Sequence, residues 1–108
     1  MEMTMQLPRI DDEGYLIEPN AWNEELAVVL ARQEDVLLTE DHWDAIRFMR
    51  DYYQDRQIAP DVRFVIRHLA ERLGPAARNR LFELFPYGYV KQACKIAGMK
   101  RPRGWSTG

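Results

Sequence analysis

The first apolar positions along the chain, Leu7, Ile10, Tyr15 and Ile17, flank the polar run Asp11-Asp12-Glu13-Gly14. Gly14 can take the positive φ of a tight turn, so residues 6–17 read as a β-hairpin. A lone hairpin is marginal in water and must pack on something else. After Pro19 the apolar spacing becomes helical. Asn20 reads as an N-cap, Glu24 and Glu25 suit the positive end of a helix, and Trp22, Leu26, Val29 and Leu30 form one stripe, predicting a helix to about Gln33.

Thr39 caps the next helix, with Glu40 and Asp41 in its first turn. Trp43, Ile46, Met49 and Tyr53 share a face, with Phe48 and Tyr52 beside it, which makes this helix central and ends it near Arg56. Pro60 can open a third helix at its first position, where a missing N–H costs nothing. Val62, Val65, Ile66, Leu69 and Leu73 form its buried stripe, Arg63, Arg67 and Arg72 lie off it, and Gly74 stops it. Pro75 opens a short fourth helix with Leu81, Leu84 and Phe85 inward, closed by Pro86. Pro86-Tyr87-Gly88 is a turn. A last helix, Tyr89 to Ala97, carries Val90, Ala93, Cys94 and Ala97 at helical spacing and ends at Gly98. The tail from Met99 to Gly108 holds one Pro, two Gly and three cations, and reads as extended and mobile.

The 108 residues suit one domain, residues 1–108, which would bury roughly two-thirds of its unfolded surface. With 46% apolar residues and 12 aromatic ones the composition is that of a globular chain. No apolar run approaches the roughly 18 residues of a membrane span, and Met1-Glu2-Met3-Thr4-Met5 lacks the basic start and apolar core of a secretion signal. A lone cysteine fits a reducing, cytoplasmic setting. The net charge of −2 hides an asymmetry. Residues 1–55 hold 14 acidic and 4 basic side chains, and residues 56–108 hold 3 acidic and 11 basic. Either the two halves face each other across the fold, or the basic half steers an anionic partner; the first is the simpler reading.

Several chemistries are excluded. The chain has a single serine, Ser106, in the tail, so a serine nucleophile on a rigid element is ruled out in practice. His42 and His68 have no second Cys or His at ligand spacing, so no metal is expected, and no glycine-rich phosphate loop points to a cofactor. His42, in a first turn, reads as a surface or capping residue. Cys94 has two readings. It can be a small buried apolar residue of its stripe. It can also be a thiolate whose pKa Lys91 and Lys95 lower, provided the sulfur is reachable. The local pattern favours the first. Phe82, Phe85, Tyr87 and Tyr89 interleave with Arg78, Arg80 and Lys91, a mixture able to stack bases. The plainer reading puts Phe82 and Phe85 in the core and Tyr87 and Tyr89 along a turn.

The string from Leu84-Phe85-Pro86-Tyr87-Gly88-Tyr89 through Lys91-Gln92-Ala93-Cys94-Lys95-Ile96-Ala97-Gly98 closely resembles the C-terminal signature of the TusE/DsrC family of sulfur-relay proteins. Asp12-Glu13-Gly14-Tyr15-Leu16 resembles the family's hairpin. Leu38-Thr39-Glu40-Asp41-His42-Trp43, continuing to Phe48-Met49-Arg50-Asp51-Tyr52-Tyr53, resembles its long central helix, and Ile58-Ala59-Pro60 with Val62-Arg63 the start of the next. The resemblance implies a mainly α (α+β) fold: a compact bundle of about five helices, an N-terminal β-hairpin, and a mobile C-terminal arm. It also implies sulfur carried as a persulfide or trisulfide on a penultimate cysteine of the arm. TusE-type members pass the sulfur toward thiolation of a tRNA wobble uridine. DsrC-type members work with dissimilatory sulfite reductase and have a second, more variable cysteine upstream, where Cys94 falls.

The chain departs from that pattern at the arm. Trp105 stands at the penultimate-cysteine position after Pro102-Arg103-Gly104, and Ser106-Thr107-Gly108 follow it. The segment Leu73 to Asn79 is also shorter than the family's usual loop. An indole cannot form a persulfide. One expectation is therefore a non-relay or regulatory member that docks on sulfur-transfer proteins of the TusBCD/DsrEFH type or on sulfite reductase. Lys91, Arg101, Arg103 and Trp105 would then make the contacts, with Trp105 as anchor. The second is an active sulfur carrier using Cys94 alone. A third and weaker one is DNA binding through the second and third helices, with Arg63 and Arg67 exposed.

Overall fold

A capping device unlike the usual one starts the central helix. The Thr39 N–H donates to His42 Nδ1 at 3.0 Å, where a Glu or Gln side chain ordinarily closes the box. The computed structural model describes residues 8–101. Within them the chain is mainly helical. The helices are α1 (Glu24–Gln33), α2 (Glu40–Arg56), α3 (Val62–Leu73), α4 (Ala77–Leu84) and a last short one, α5 (Cys94–Ile96), entered through a π-helical turn at Tyr89–Ala93.

Two predicted starts move. Asn23, not Asn20, caps α1, its side chain accepting from the Leu26 N–H at 2.8 Å, while Pro19–Ala21 form a 3-10 turn. Asp61 caps α3 by accepting from the Arg63 N–H at 2.9 Å, so Pro60 lies before the helix and not at its first position. In both places a side-chain acceptor at the cap decides the boundary. Among the described residues, the expected hairpin shows one antiparallel bridge, Ile10 with Leu16. Its turn is nevertheless well bonded: Asp11 accepts from the Glu13 and Tyr15 N–H groups, and Gly14 has φ +93°. Asp11 thus adds local acceptors at the turn to the two cross-strand backbone bonds, Asp11 N–H to the Tyr15 carbonyl at 2.8 Å and Ile17 N–H to the Arg9 carbonyl at 3.1 Å.

The core is continuous from the N-terminal turn to the last helix. α2 packs on α3, α3 on α4, and α1 on α5. Ile46 and Met49 of α2, Val65 and Leu69 of α3, and Leu81 and Leu84 of α4 are fully buried. The aromatic expectations change in two places. Phe82 is 39% exposed, while Tyr89 is core, its hydroxyl donating to the Pro60 carbonyl at 2.6 Å. Val29 is only partly buried; Ala27 and Ala31 complete the inner face of α1 instead.

Part of the charge asymmetry is paired across the fold. Arg72 reaches Asp41 at 2.7 Å and Asp44 at 3.0 Å, Arg80 reaches Asp41 at 2.8 Å, and Lys95 meets Glu34 at 3.5 Å. The Arg80 and Arg72 guanidiniums hold the Asp41 carboxyl below its ordinary range. These pairs join the basic second half to the acidic first half. No helix among the described residues is long and apolar enough to cross a membrane.

Candidate functional site

The predicted site residues fall in three places. Cys94 is inside, Lys91 and Arg101 are on the surface, and Arg103 and Trp105 lie outside the described residues, as does most of the tail read as a mobile arm.

The π-turn sets the position of Cys94. Gly88, with φ +103°, turns the chain, and the Ala93 N–H reaches back to the Gly88 carbonyl at 3.4 Å. The wider turn inserts an extra residue relative to an α-turn. It leaves Val90, Ala93 and Cys94 facing inward together, all at 1% exposure or less. The helix then stops at Gly98, where Met99 N–H bonds to the Cys94 carbonyl at 2.9 Å and Gly98 N–H to the Lys95 carbonyl at 3.1 Å. That pair of bonds is a Schellman stop.

The Cys94 thiol has no exposure, and its pKa is pushed up to about 12 by burial, with only a partial offset from its hydrogen bond to the Tyr89 hydroxyl. Lys91 and Lys95 flank it in sequence but point to the other side of the helix, toward solvent and Glu34. The thiolate reading needed a reachable sulfur. The helix turns it the other way.

The surface over α5 is a cleft of about 330 Å³. The N-terminal turn contributes Glu13 and Tyr15, α1 contributes Glu34, and the turn before α5 contributes Tyr87. Lys91, Lys95 and Arg101 supply its positive charge. Arg101 Nη1 donates to Glu13 at 2.9 Å, and the Lys95 ammonium lies 5.3 Å from the centre of the Tyr15 ring. Tyr15 in turn donates to the Val90 carbonyl at 2.8 Å, fastening the N-terminal turn to the π-turn.

Two buried polar residues that the sequence pattern did not single out build this region. Gln92 has no exposure; its carbonyl accepts from the Tyr87 N–H at 3.2 Å and its amide donates to Glu34 at 3.4 Å. Arg50 of α2 donates to the Ala97 carbonyl and the Pro19 carbonyl, each at 3.1 Å, and its guanidinium sits over Trp22 and Tyr53. The signal available was a polar residue inside an apolar stripe, which does not say what it will meet. His42 is a third. It is capping, as read, but buried instead of superficial, and Nε2 donates to the Leu84 carbonyl at 2.8 Å. Because Nδ1 accepts from Thr39, Nε2 must carry the proton. Burial pushes its pKa below the ordinary 6.5.

Comparison with known proteins gives one answer. The family model described as DsrC like protein matches residues 2–105. Sulfurtransferase TusE of Pectobacterium atrosepticum is 45% identical over 94 residues, covering 85% of this chain and 86% of that protein. Among solved structures, the oxidized gamma-subunit of the dissimilatory sulfite reductase (DsrC) from Archaeoglobus fulgidus superposes with a TM-score of 0.82 at 36% identity, covering 92% of each chain. Allochromatium vinosum DsrC superposes with a TM-score of 0.76 at 44% identity, covering 90% of this chain and 88% of that one. This chain belongs to the DsrC-like family, the TusE/DsrC sulfur-relay proteins.

Proposed function

We propose that this protein serves a cytoplasmic sulfur relay, in tRNA thiolation or dissimilatory sulfur metabolism. The reading is supported by a family match along nearly the whole chain and by relatives that carry the name sulfurtransferase. How it serves the relay depends on one thiol.

As a carrier, it would load Cys94. The Cys94 thiolate attacks the outer sulfur of a donor persulfide, a new S–S bond forms on Cys94, and the donor leaves as its thiolate. No external oxidant or reductant is needed. The relatives' names favour this mode, and Cys94 is the chain's only cysteine. The thiol must first leave the core around α5.

As a docking member, it would engage sulfur-transfer proteins of the TusBCD/DsrEFH type or sulfite reductase through Lys91, Arg101, Arg103 and Trp105, without loading. The complete burial of Cys94 favours this mode in the folded state. Intact-mass measurement after incubation with a persulfide donor separates the two. A gain of one sulfur by the native chain, absent in Cys94→Ser, establishes the carrier. No gain, together with binding to a purified TusBCD-type complex, establishes docking. Neither gain nor binding overturns the relay reading.

A further inference from the structure

The cleft over α5 contains a charge without a partner among the described residues. Lys91 is exposed and makes no hydrogen bond, ion pair or ring contact to any described residue. Lys95, one helical turn on, is held by Glu34 and stacked against Tyr15, and its side chain is only 19% exposed. Arg101 is held by Glu13, but both partners are open to water, at 42% and 56% side-chain exposure. An ion pair so hydrated contributes little, so an incoming carboxylate can take the place of Glu13 at small cost.

Beside these cations stands Tyr87, 70% exposed and on the cleft wall. It is not loose. Its N–H is held by the fully buried Gln92, whose amide also holds Glu34 on the opposite wall. One buried side chain therefore sets the spacing of both walls. An exposed Tyr on a held backbone, beside Arg and Lys, is the composition of an interface anchor. A small anion would use the cations but has no use for the ring. The lining mixes three cations with Glu13 and Glu34, which suits spaced carboxylates around an apolar side chain better than the continuous run of phosphates of a nucleic acid.

We infer that the cleft is the docking site for an acidic segment of a protein partner. Lys91 and Arg101 meet the segment's carboxylates, an apolar side chain of the segment packs on Tyr87, and Glu13 acts as a built-in competitor for Arg101. Gln92 is a positioning residue. This rests on the docking mode above and names the chemistry of its partner.

The test uses the full isotopically labelled chain, titrated by NMR with a synthetic peptide of Glu and Asp around one Phe. The controls are the same peptide with Gln and Asn, and sodium sulfate. Amide shifts are expected at the N-terminal turn, Glu34, Tyr87 to Lys95 and Arg101 with the acidic peptide alone. Lys91→Glu and Tyr87→Ala, both at exposed positions, should each weaken binding about tenfold. Arg67→Glu, on another face, should leave it unchanged. Glu13→Gln should tighten binding severalfold, a gain that damage to the fold cannot produce. The inference is overturned if the neutral peptide binds equally, if sulfate alone reproduces the shifts, if Lys91→Glu binds like the native chain, or if Glu13→Gln fails to tighten it. Binding of a sulfur-transfer protein that ignores Lys91→Glu sinks this inference and leaves the relay reading standing. Acidic-peptide binding with neither sulfur gain nor any sulfur-transfer partner does the reverse.

Discussion

Gly98 lies against Trp22 so closely that a Cβ on Gly98 would sit 2.4 Å from Trp22 Cδ1. The contact brings the end of α5 onto the 3-10 turn before α1, and Trp22 Nε1 completes it by donating to the Ile96 carbonyl at 3.0 Å. The φ of Gly98, +75°, independently disfavours any other residue.

Gly98→Ala should therefore destabilise the protein by about 3 kcal/mol, since strain and overpacking act at one place. Urea unfolding followed by Trp fluorescence measures it. A loss well under about 1 kcal/mol, the usual cost of the backbone conformation alone, would show that Trp22 yields freely.

Arg50→Met keeps the bulk between Trp22 and Tyr53 but leaves the Ala97 carbonyl without its donor and the Pro19 carbonyl with only the Trp22 N–H. A loss of roughly 2–4 kcal/mol is expected. Hydrogen exchange gives the local readout. Amides of Gly98 and Met99, which close the helix stop, should exchange faster than those at the centre of α3. Uniform acceleration would mean that Arg50 supports the whole core and not this end of it.

Cys94 should resist a soluble thiol reagent at pH 8 in the native state and react at once in denaturant. The linkage follows from its raised pKa. An unfolded thiol ionises near its ordinary 9.0, whereas the folded one keeps its proton to about 12. Between those values the folded state binds more protons, so stability falls as pH rises through that window. The Tyr15 hydroxyl, also pushed up to about 12 by burial, adds to the same trend. Cys94→Ala should flatten the decline in urea midpoint without removing it. An unchanged slope would place the titration elsewhere.

His42 should act in the opposite direction. Its folded pKa is lowered, so the unfolded state binds more protons below the ordinary 6.5, and stability falls as pH drops through that value. His42→Gln retains a side-chain acceptor for the Thr39 cap but loses its fit to the Leu84 carbonyl and the edge contact with Phe85 at 5.2 Å. It should cost about 1–2 kcal/mol at neutral pH and make the urea midpoint flatter between pH 7 and 5. Equal pH slopes in both proteins would contradict this assignment.

The sequence by itself determined much of the framework, because caps, stops and apolar stripes act over a few residues. Thr39 starts α2, Gly74 and Gly98 end helices, and the stripes of α2 to α4 point inward where their spacing says. It also carried the family, since the string around Cys94 is specific. Only the tertiary structure decided which way Cys94 faces. Its local pattern favours a core residue over an activated thiolate without deciding between them, and a π-turn with one extra residue settles the matter by rotation. Nor could spacing show that Gln92 joins Tyr87 to Glu34, or that Arg50 ties Pro19 to Ala97. Those bonds join residues far apart in the chain, and a polar side chain in an apolar stripe reveals its partner only when the other elements close around it. The N-terminal turn divides the same way: Asp11 and Gly14 close it locally, but only the folded chain ties it through Tyr15 to the Val90 carbonyl, 75 residues away.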